Sequence, residues 1–432
     1  MNWVADFTVF SVILLVLLFS GMWIPFAIGA SGVIALYVIG GIPELRTLGM
    51  ISWASTNSFT LTAVPMFILM AEILLRSGVS ERAYDGLAKL LGGLPGGLLQ
   101  TNIVGCAFFS AISGSSVATA AAVGASALPQ LERRKYNRPM AAGSLAAGGT
   151  LGILIPPSVA LIIYGTFTET SVAKLFMAGL VPGIVLALIF MLFIAVVTWV
   201  RPSVAPEKIT STAAEKGRAV LDIAPLAVLM VTVLGSLYTG IATPTEAAGL
   251  GCAIAIVIGL VWGRLRMALL HAALINTVRI SCTIMLIVLM AYIFSYAIER
   301  ADIGVNLTRW VVGLELSKFT FLLALVIVFT VLGCILDSIG MIVLTVPLLF
   351  GPVVAYGFDP IWFGIFLVLM LELGQITPPV GLNLFVVQGI SNWPLGDIVK
   401  GTAPYWGIIL AFVALLSAFP ELALWLPGRT PS

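Results

Sequence analysis

Two stretches of this chain interrupt an apolar run in the same way. "GILIPPSVALI" (152–162) and "GQITPPVGLNL" (374–384) each carry a double proline, Pro156–Pro157 and Pro378–Pro379. Proline removes a backbone donor and clashes with the preceding helical turn, and in lipid an unsatisfied backbone group is expensive. The two stretches lie 222 residues apart, and the same shift pairs Gly152 with Gly374, Ser116 with Ser338, Gly179 with Gly401 and Pro182 with Pro404. Co-registration over such a length, without a gap, implies two copies of one structural plan. Each copy breaks a helix where a membrane segment tolerates a break least.

Composition places these segments in a membrane. Charged residues are 9% of the 432, apolar residues 60%, and mean hydropathy is +1.14, whereas a soluble domain carries roughly 25% charge. The net charge of +2 is too small to suggest a nucleic-acid partner. No cleavable signal peptide is evident, because the first apolar run is flanked by Asp6 rather than by a basic region. Cys106, Cys252, Cys282 and Cys334 fall in apolar segments without metal-ligand spacing and read as small buried hydrophobes. The single histidine, His271, sits beside Arg264, Arg266 and Arg279 and reads as a membrane-surface residue.

A span needs about 20 apolar residues. Spans are expected near 4–20, 22–40, 60–76, 138–167 and 173–200, then near 223–241, 244–262, 279–298, 360–388 and 402–425. Residues 97–131 and 319–356 differ: each holds a polar cluster midway, "SGSS" and "LDSIG". Each reads either as two tight spans or as a re-entrant hairpin whose polar tip stops mid-membrane, which is tolerated only where the tip is buried in protein or lines a cavity. Segments 81–92, 265–278 and 302–315 mix charge with apolar residues and read as interfacial amphipathic helices.

The organisation expected is a first repeat (1–201) with hairpin 97–131 and broken helix 138–167, and a polar cytoplasmic linker (202–222). A second repeat (223–432) follows, with hairpin 319–356 and broken helix 360–388. With hairpins, each half has five crossings, and an odd number inverts the second half relative to the first. The fold class is thus an all-α polytopic membrane protein of two inverted repeats with broken helices, the plan of secondary transporters. The basic residues agree. With the N-terminus outside, fifteen Lys and Arg, Lys208 and Lys400 among them, fall on inside loops and six outside. Both termini are then periplasmic. Charge fixes orientation but does not separate a hairpin from a span pair.

A helix broken at mid-membrane frees carbonyls and exposes two ends. The C-terminal end of its first half suits Na⁺, and the N-terminal end of its second half suits a carboxylate. Pro157 and Pro379 are expected at the first helical position, where no intrahelical N–H bond is lost. Gly152 and Gly374 allow close approach, and Ser158, Thr377 and Asn383 supply neutral polar atoms. Asp337, at the second tip where the first has Ser115, reads as a cation ligand or as a helix cap. Glu372, matched by Thr150 in the first repeat, is either a functional intramembrane acid or a satisfied structural one. Glu72 reads as an i,i+4 partner of Arg76, and Glu246 as a cap for its span.

"SAISGSSVATAAAVG", "GGTLGILIPPSVALIIYG", "LFMAGLVPG", "TPTEAAG" and "ELGQITPPVGLNLFV" together resemble the large membrane subunit of TRAP transporters, the DctM type, over essentially the whole chain. The resemblance implies ATP-independent, Na⁺-driven uptake of a small organic anion, a carboxylate or sulfonate, across the bacterial inner membrane by an elevator mechanism. It implies two partners, a periplasmic substrate-binding protein and a small four-helix membrane subunit. The small subunit is expected as a separate polypeptide. By position, the resemblance assigns Na⁺ contacts to Ser113, Gly152, Ile155 and Pro157 in the first half. In the second it assigns them to Gly333, Gly374, Thr377 and Val380, most through carbonyls. Solute contacts are placed by position at Ser115, Ser116, Ser158, Ser338 and Asn383. The competing readings are a binding-protein-independent Na⁺/organic anion symporter of similar build, a channel, and an intramembrane enzyme. For the last, no convincing Ser/His pair, His cluster or paired-Asp motif is present.

Overall fold

The computed structural model describes residues 3–206 and 211–429, and these are helical with no strand among them. The first half comprises α1 (Trp3–Phe19), α2 (Ile24–Gly40), α3 (Ile42–Leu45), α4 (Leu48–Thr56), α5 (Ala63–Arg76), α6 (Val79–Leu91), α7 (Leu98–Ser113), α8 (Ser116–Arg133), α9 (Arg138–Thr150), α10 (Val159–Thr168) and α11 (Val172–Val200). The second comprises α12 (Ala213–Tyr238), α13 (Pro244–Val261), α14 (Met267–Arg300), α15 (Ile303–Gly313), α16 (Lys318–Gly333), α17 (Ser338–Ala355), α18 (Pro360–Gln375), α19 (Leu382–Ser391), α20 (Leu395–Ala418) and α21 (Glu421–Leu424).

The shift of 222 carries the helix order of one half onto the other: α2 onto α13, α6 onto α15, α7–α8 onto α16–α17, α9–α10 onto α18–α19, and α11 onto α20. The match breaks in one informative place. The 34-residue α14 is one continuous helix, whereas its counterpart is a bent pair, Ile42–Thr56 and Thr60–Arg76, turning by 58°. The expected interfacial helix 265–278 is therefore not a separate element but the first third of α14. No proline or glycine interrupts 267–300, so nothing breaks the helix. At 1.5 Å per residue it is ~51 Å long, enough for one end to stand outside a hydrocarbon core of about 30 Å. Arg82, Asp85 and Lys89 lie on α6 and Arg309 on α15, as expected for amphipathic elements. Lys208 lies outside the described residues, as does part of the expected linker.

Other side chains behave partly as expected. Cys106 and Cys252 are buried, but Cys334 is half-buried and Cys282 is exposed on α14. Glu246 closes a capping box with Thr243 at the start of α13, and Glu72 pairs with Arg76 at 2.8 Å.

The helices pack across the halves. In one group α8 lies on α19, α10 on α17, α9 on α20 and α11 on α18; in the other α13 lies on α5, α14 on α2 and α12 on α6. The first group contains both hairpins and both broken helices. Its α9, "RPMAAGSLAAGGT", is buried from Ala141 through Thr150, small residues that let neighbouring backbones approach closely.

Candidate functional site

Each hairpin turns tightly. Only Gly114 and Ser115 separate α7 from α8, and residues 334–337 separate α16 from α17. The equivalent residues Ser115 and Asp337 do the same local work. Each is the N-cap of the returning helix, with its side chain accepting from backbone N–H groups, Ala118 for Ser115 and both Ile339 and Gly340 for Asp337. Asp337 is thus seated as a cap, and its carboxylate lines a cavity.

Each tip is fastened to the helix break of its own half. Val159 N–H donates to the Gly114 carbonyl at 3.3 Å, and Val380 N–H donates to the Cys334 carbonyl at 3.3 Å. The prolines sit inside the breaks rather than at the first helical position. In the first half Ser158 caps α10, which begins at Val159; in the second Gly381, at φ +47°, precedes α19. The side-chain cap and the left-handed glycine restart the helices, so the prolines are left free to shape the loops.

The first break gathers oxygens. Ser113 Oγ lies 2.6 Å from Thr119 Oγ1 and 3.2 Å from the Ser115 carbonyl. Gly152 faces this group: a Cβ there would stand 2.7 Å from the Ser115 carbonyl oxygen and 2.8 Å from Thr119 Oγ1. Pro157 presents its carbonyl against Gly114, while the Ile155 side chain packs away from the group, against Gly183 of α11. The second break is built from backbone. Gly374 and Gly333 touch, a Cβ at Gly374 meeting Gly333 Cα at 2.7 Å. Thr377 Oγ1 donates to the Leu373 carbonyl at 2.6 Å, which leaves its lone pairs uncommitted.

Both tips line one cavity of about 170 Å³. Ser113, Ser115, Ser116, Asp337, Ser338 and Gln375 supply its polar side, and Ile68, Glu72, Ile280 and Ile284, on α5 and α14, close it from the other helix group. Ser158 and Asn383 are not among the lining residues. Ser158 is fully buried and donates to the Ile153 carbonyl at 2.6 Å. Asn383, also fully buried, donates to Ser116 Oγ at 2.7 Å and to the Ala146 carbonyl at 3.1 Å, so it holds the first tip from behind. Buried polar groups are hydrogen-bonded as a rule, and these two spend their donors on positioning the site.

Three residues of the site were not singled out by sequence. Thr119 completes the first oxygen group one turn into α8. Gln375 lines the cavity and donates to Ser338 Oγ. Asn276 of α14 donates to Glu72 at 2.7 Å, steadying the acid that Arg76 neutralises. The available signal was a polar side chain within a mostly apolar helix, next to a break or facing one. Glu372 is fully buried on α18, and neither carboxylate oxygen has a hydrogen-bond partner among the described residues.

Comparison with known proteins supplies the context for this geometry. A family model described as "Tripartite ATP-independent periplasmic transporter, DctM component" matches residues 11–422. The chain is 34% identical over 405 residues to the C4-dicarboxylate TRAP transporter large permease protein DctM of Pseudomonas aeruginosa, covering 93% of this chain and 94% of that protein. It is 31% identical to the ectoine TRAP transporter large permease protein TeaC of Halomonas elongata, covering 95% and 96%. Among solved structures, the YdaH transporter of Alcanivorax borkumensis shares the fold with a TM-score of 0.60 at 16% identity, over 90% of each chain.

Proposed function

The chain belongs to the family of DctM components of tripartite ATP-independent periplasmic transporters, and on that premise we propose that it carries a small organic anion, a carboxylate or sulfonate, across the bacterial inner membrane in symport with Na⁺. As a multi-pass permease component it is a transporter subunit and not an enzyme. The solutes named for relatives differ, C4-dicarboxylate in one and ectoine in another, so the proposal leans on the site rather than on a name.

The observation that carries it is the meeting of both hairpin tips and both helix breaks around one cavity. Among the described residues, no lysine, arginine or histidine lines that cavity. An anion there would be held by the Ser115, Ser116 and Ser338 hydroxyls, by Gln375 and by the N-terminus of α8, whose dipole favours negative charge, since Asp337 already takes the first N–H groups of α17. Na⁺ would take neutral oxygens. In the first half these are Ser113, Thr119 and the carbonyls around Gly152, Ile155 and Pro157. In the second they are Thr377 and the carbonyls around Gly333, Gly374 and Val380. Asp337 would contribute charge at the second tip. Ions at these two places offset the anion's charge inside the membrane.

The grouping of α7–α11 with α16–α20 suits an elevator, in which hairpins and broken helices travel together against the remaining helices. The partners are a periplasmic binding protein that delivers the solute and a small four-helix membrane subunit, with both termini of this chain periplasmic. The test is uptake of carboxylates and sulfonates by liposomes holding both membrane subunits. Uptake is expected only when the binding protein is added; equal uptake without it would refute a tripartite route.

A further inference from the structure

We propose that Asn383 transmits cation binding at the second helix break to solute binding at the first hairpin tip, as a positioning residue for the Ser116 hydroxyl. The inference rests on the symport reading above and names the residue that couples its two ligands.

The Asn383 amide has one orientation. Its Nδ2 lies 2.7 Å from Ser116 Oγ and 3.1 Å from the Ala146 carbonyl oxygen. A carbonyl only accepts, so the nitrogen stands on that side and Ser116 accepts from it. A serine hydroxyl has a single hydrogen to give. No acceptor among the described residues takes the one on Ser116, which lines the cavity. That hydrogen is free for a solute oxygen, and a change at Asn383 changes where it points. Asn383 Oδ1 is buried with no hydrogen-bond partner among the described residues. The residue is thus not a fully satisfied packing amide; what it contributes is its two donors.

The backbone of Asn383 belongs to the second break. It lies in the first turn of α19, just past Gly381, whose left-handed backbone restarts the helix. Val380 N–H is tied to the Cys334 carbonyl. A cation drawn to the carbonyls around Thr377 and Val380 sets how this break closes, and so where the first turn of α19 stands. α19 packs on α8, the helix that Ser116 begins.

The link runs from one repeat only. The shift of 222 matches Asn383 with Leu161 and Gln375 with Ile153, neither of which has a polar side chain. Ser338, the counterpart of Ser116, takes its amide hydrogen from Gln375, on the other flank of the second double proline. Both tip serines are therefore held from the second break and neither from the first.

The test is equilibrium binding of radioactive Na⁺ to the two membrane subunits together in lipid nanodiscs, with and without saturating succinate or isethionate. In the wild type, the effective probe is expected to tighten Na⁺ binding at least ~10-fold, within the usual range for coupled sites. Asn383→Leu installs the residue of the matched position. It should bind Na⁺ alone within ~2-fold of the wild type, yet the probe should tighten that binding only ~2-fold or less. Ser116→Ala should lose the tightening to the same extent, and the double variant should lose no more than either alone. Asn383→Leu that binds Na⁺ poorly with no probe present would make the residue structural and overturn the inference. So would tightening of wild-type size in Asn383→Leu, or in Ser116→Ala if Asn383→Leu does not insert. A wild type in which neither probe tightens Na⁺ binding would fail earlier, at the symport reading itself.

Discussion

Gly374→Ala is expected to abolish uptake while leaving membrane insertion intact. The added methyl would stand 2.7 Å from Gly333 Cα and 2.9 Å from its carbonyl oxygen. Both are backbone atoms, so no rotamer change makes room, and α16 must retreat from the helix break. Overpacking of this kind costs about 1–3 kcal/mol, occasionally more. Spread over a whole protein, that is tolerable. Concentrated at carbonyls that must close on a small cation, it is expected to reduce uptake at least ~100-fold, equivalent to the upper part of that range. Gly152→Ala should behave alike, because its methyl meets the Ser115 carbonyl oxygen at 2.7 Å. Gly389→Ala on α19 is the control: nothing lies within 4 Å of its Cβ position, so transport should be unchanged. Uptake in liposomes, normalised to the amount of inserted protein, decides it. Gly374→Ala transporting like the control would mean that the close approach has no functional role.

Thr377→Val should raise the Na⁺ requirement with normal insertion. The hydroxyl donates to the Leu373 carbonyl, so its oxygen is oriented with lone pairs free for a cation. Valine keeps the shape and the backbone carbonyl but removes that oxygen. Losing one such contact costs about 1–3 kcal/mol, which is ~5- to 150-fold in affinity. The matched residue, Ile155, has no hydroxyl and packs against Gly183. Ile155→Val should therefore leave Na⁺ dependence nearly untouched, with a packing cost of about 0.5–1.5 kcal/mol. An unchanged Na⁺ curve for Thr377→Val would leave only a backbone role at that position.

Much of the architecture is legible in the chain because membrane helices must satisfy their own backbone, which ties apolar length to structure. The shift of 222 locates both hairpins and both broken helices within a few residues. What escapes is set by contacts rather than by local pattern. The segment around His271 suggested a surface helix, but with no proline or glycine between Met267 and Arg300 it continues into one long helix. The first-half counterpart bends near Asn57, and the apolar segment before that bend falls outside the expected spans. Ser158 and Asn383, expected to contact the solute, lie behind the cavity and spend their donors on Ile153, Ser116 and Ala146. A sequence shows that a polar side chain is present; it does not show which partner claims it. Thr119 and Gln375 were passed over for the converse reason. Thr119 is one of several polar residues of α8 and Gln375 shares α18 with Glu372, and only tertiary packing turns each toward the oxygens of a tip.

The central claim is that the two repeats supply two cation sites serving one solute. The direct measurement is initial uptake against Na⁺ concentration, in liposomes holding both membrane subunits with the binding protein present. Two equivalent sites predict a sigmoidal rise with more than one Na⁺ per solute, and no concentrative uptake once the Na⁺ gradient is collapsed. A hyperbolic Na⁺ response, or concentrative uptake driven by a proton gradient alone, would contradict it.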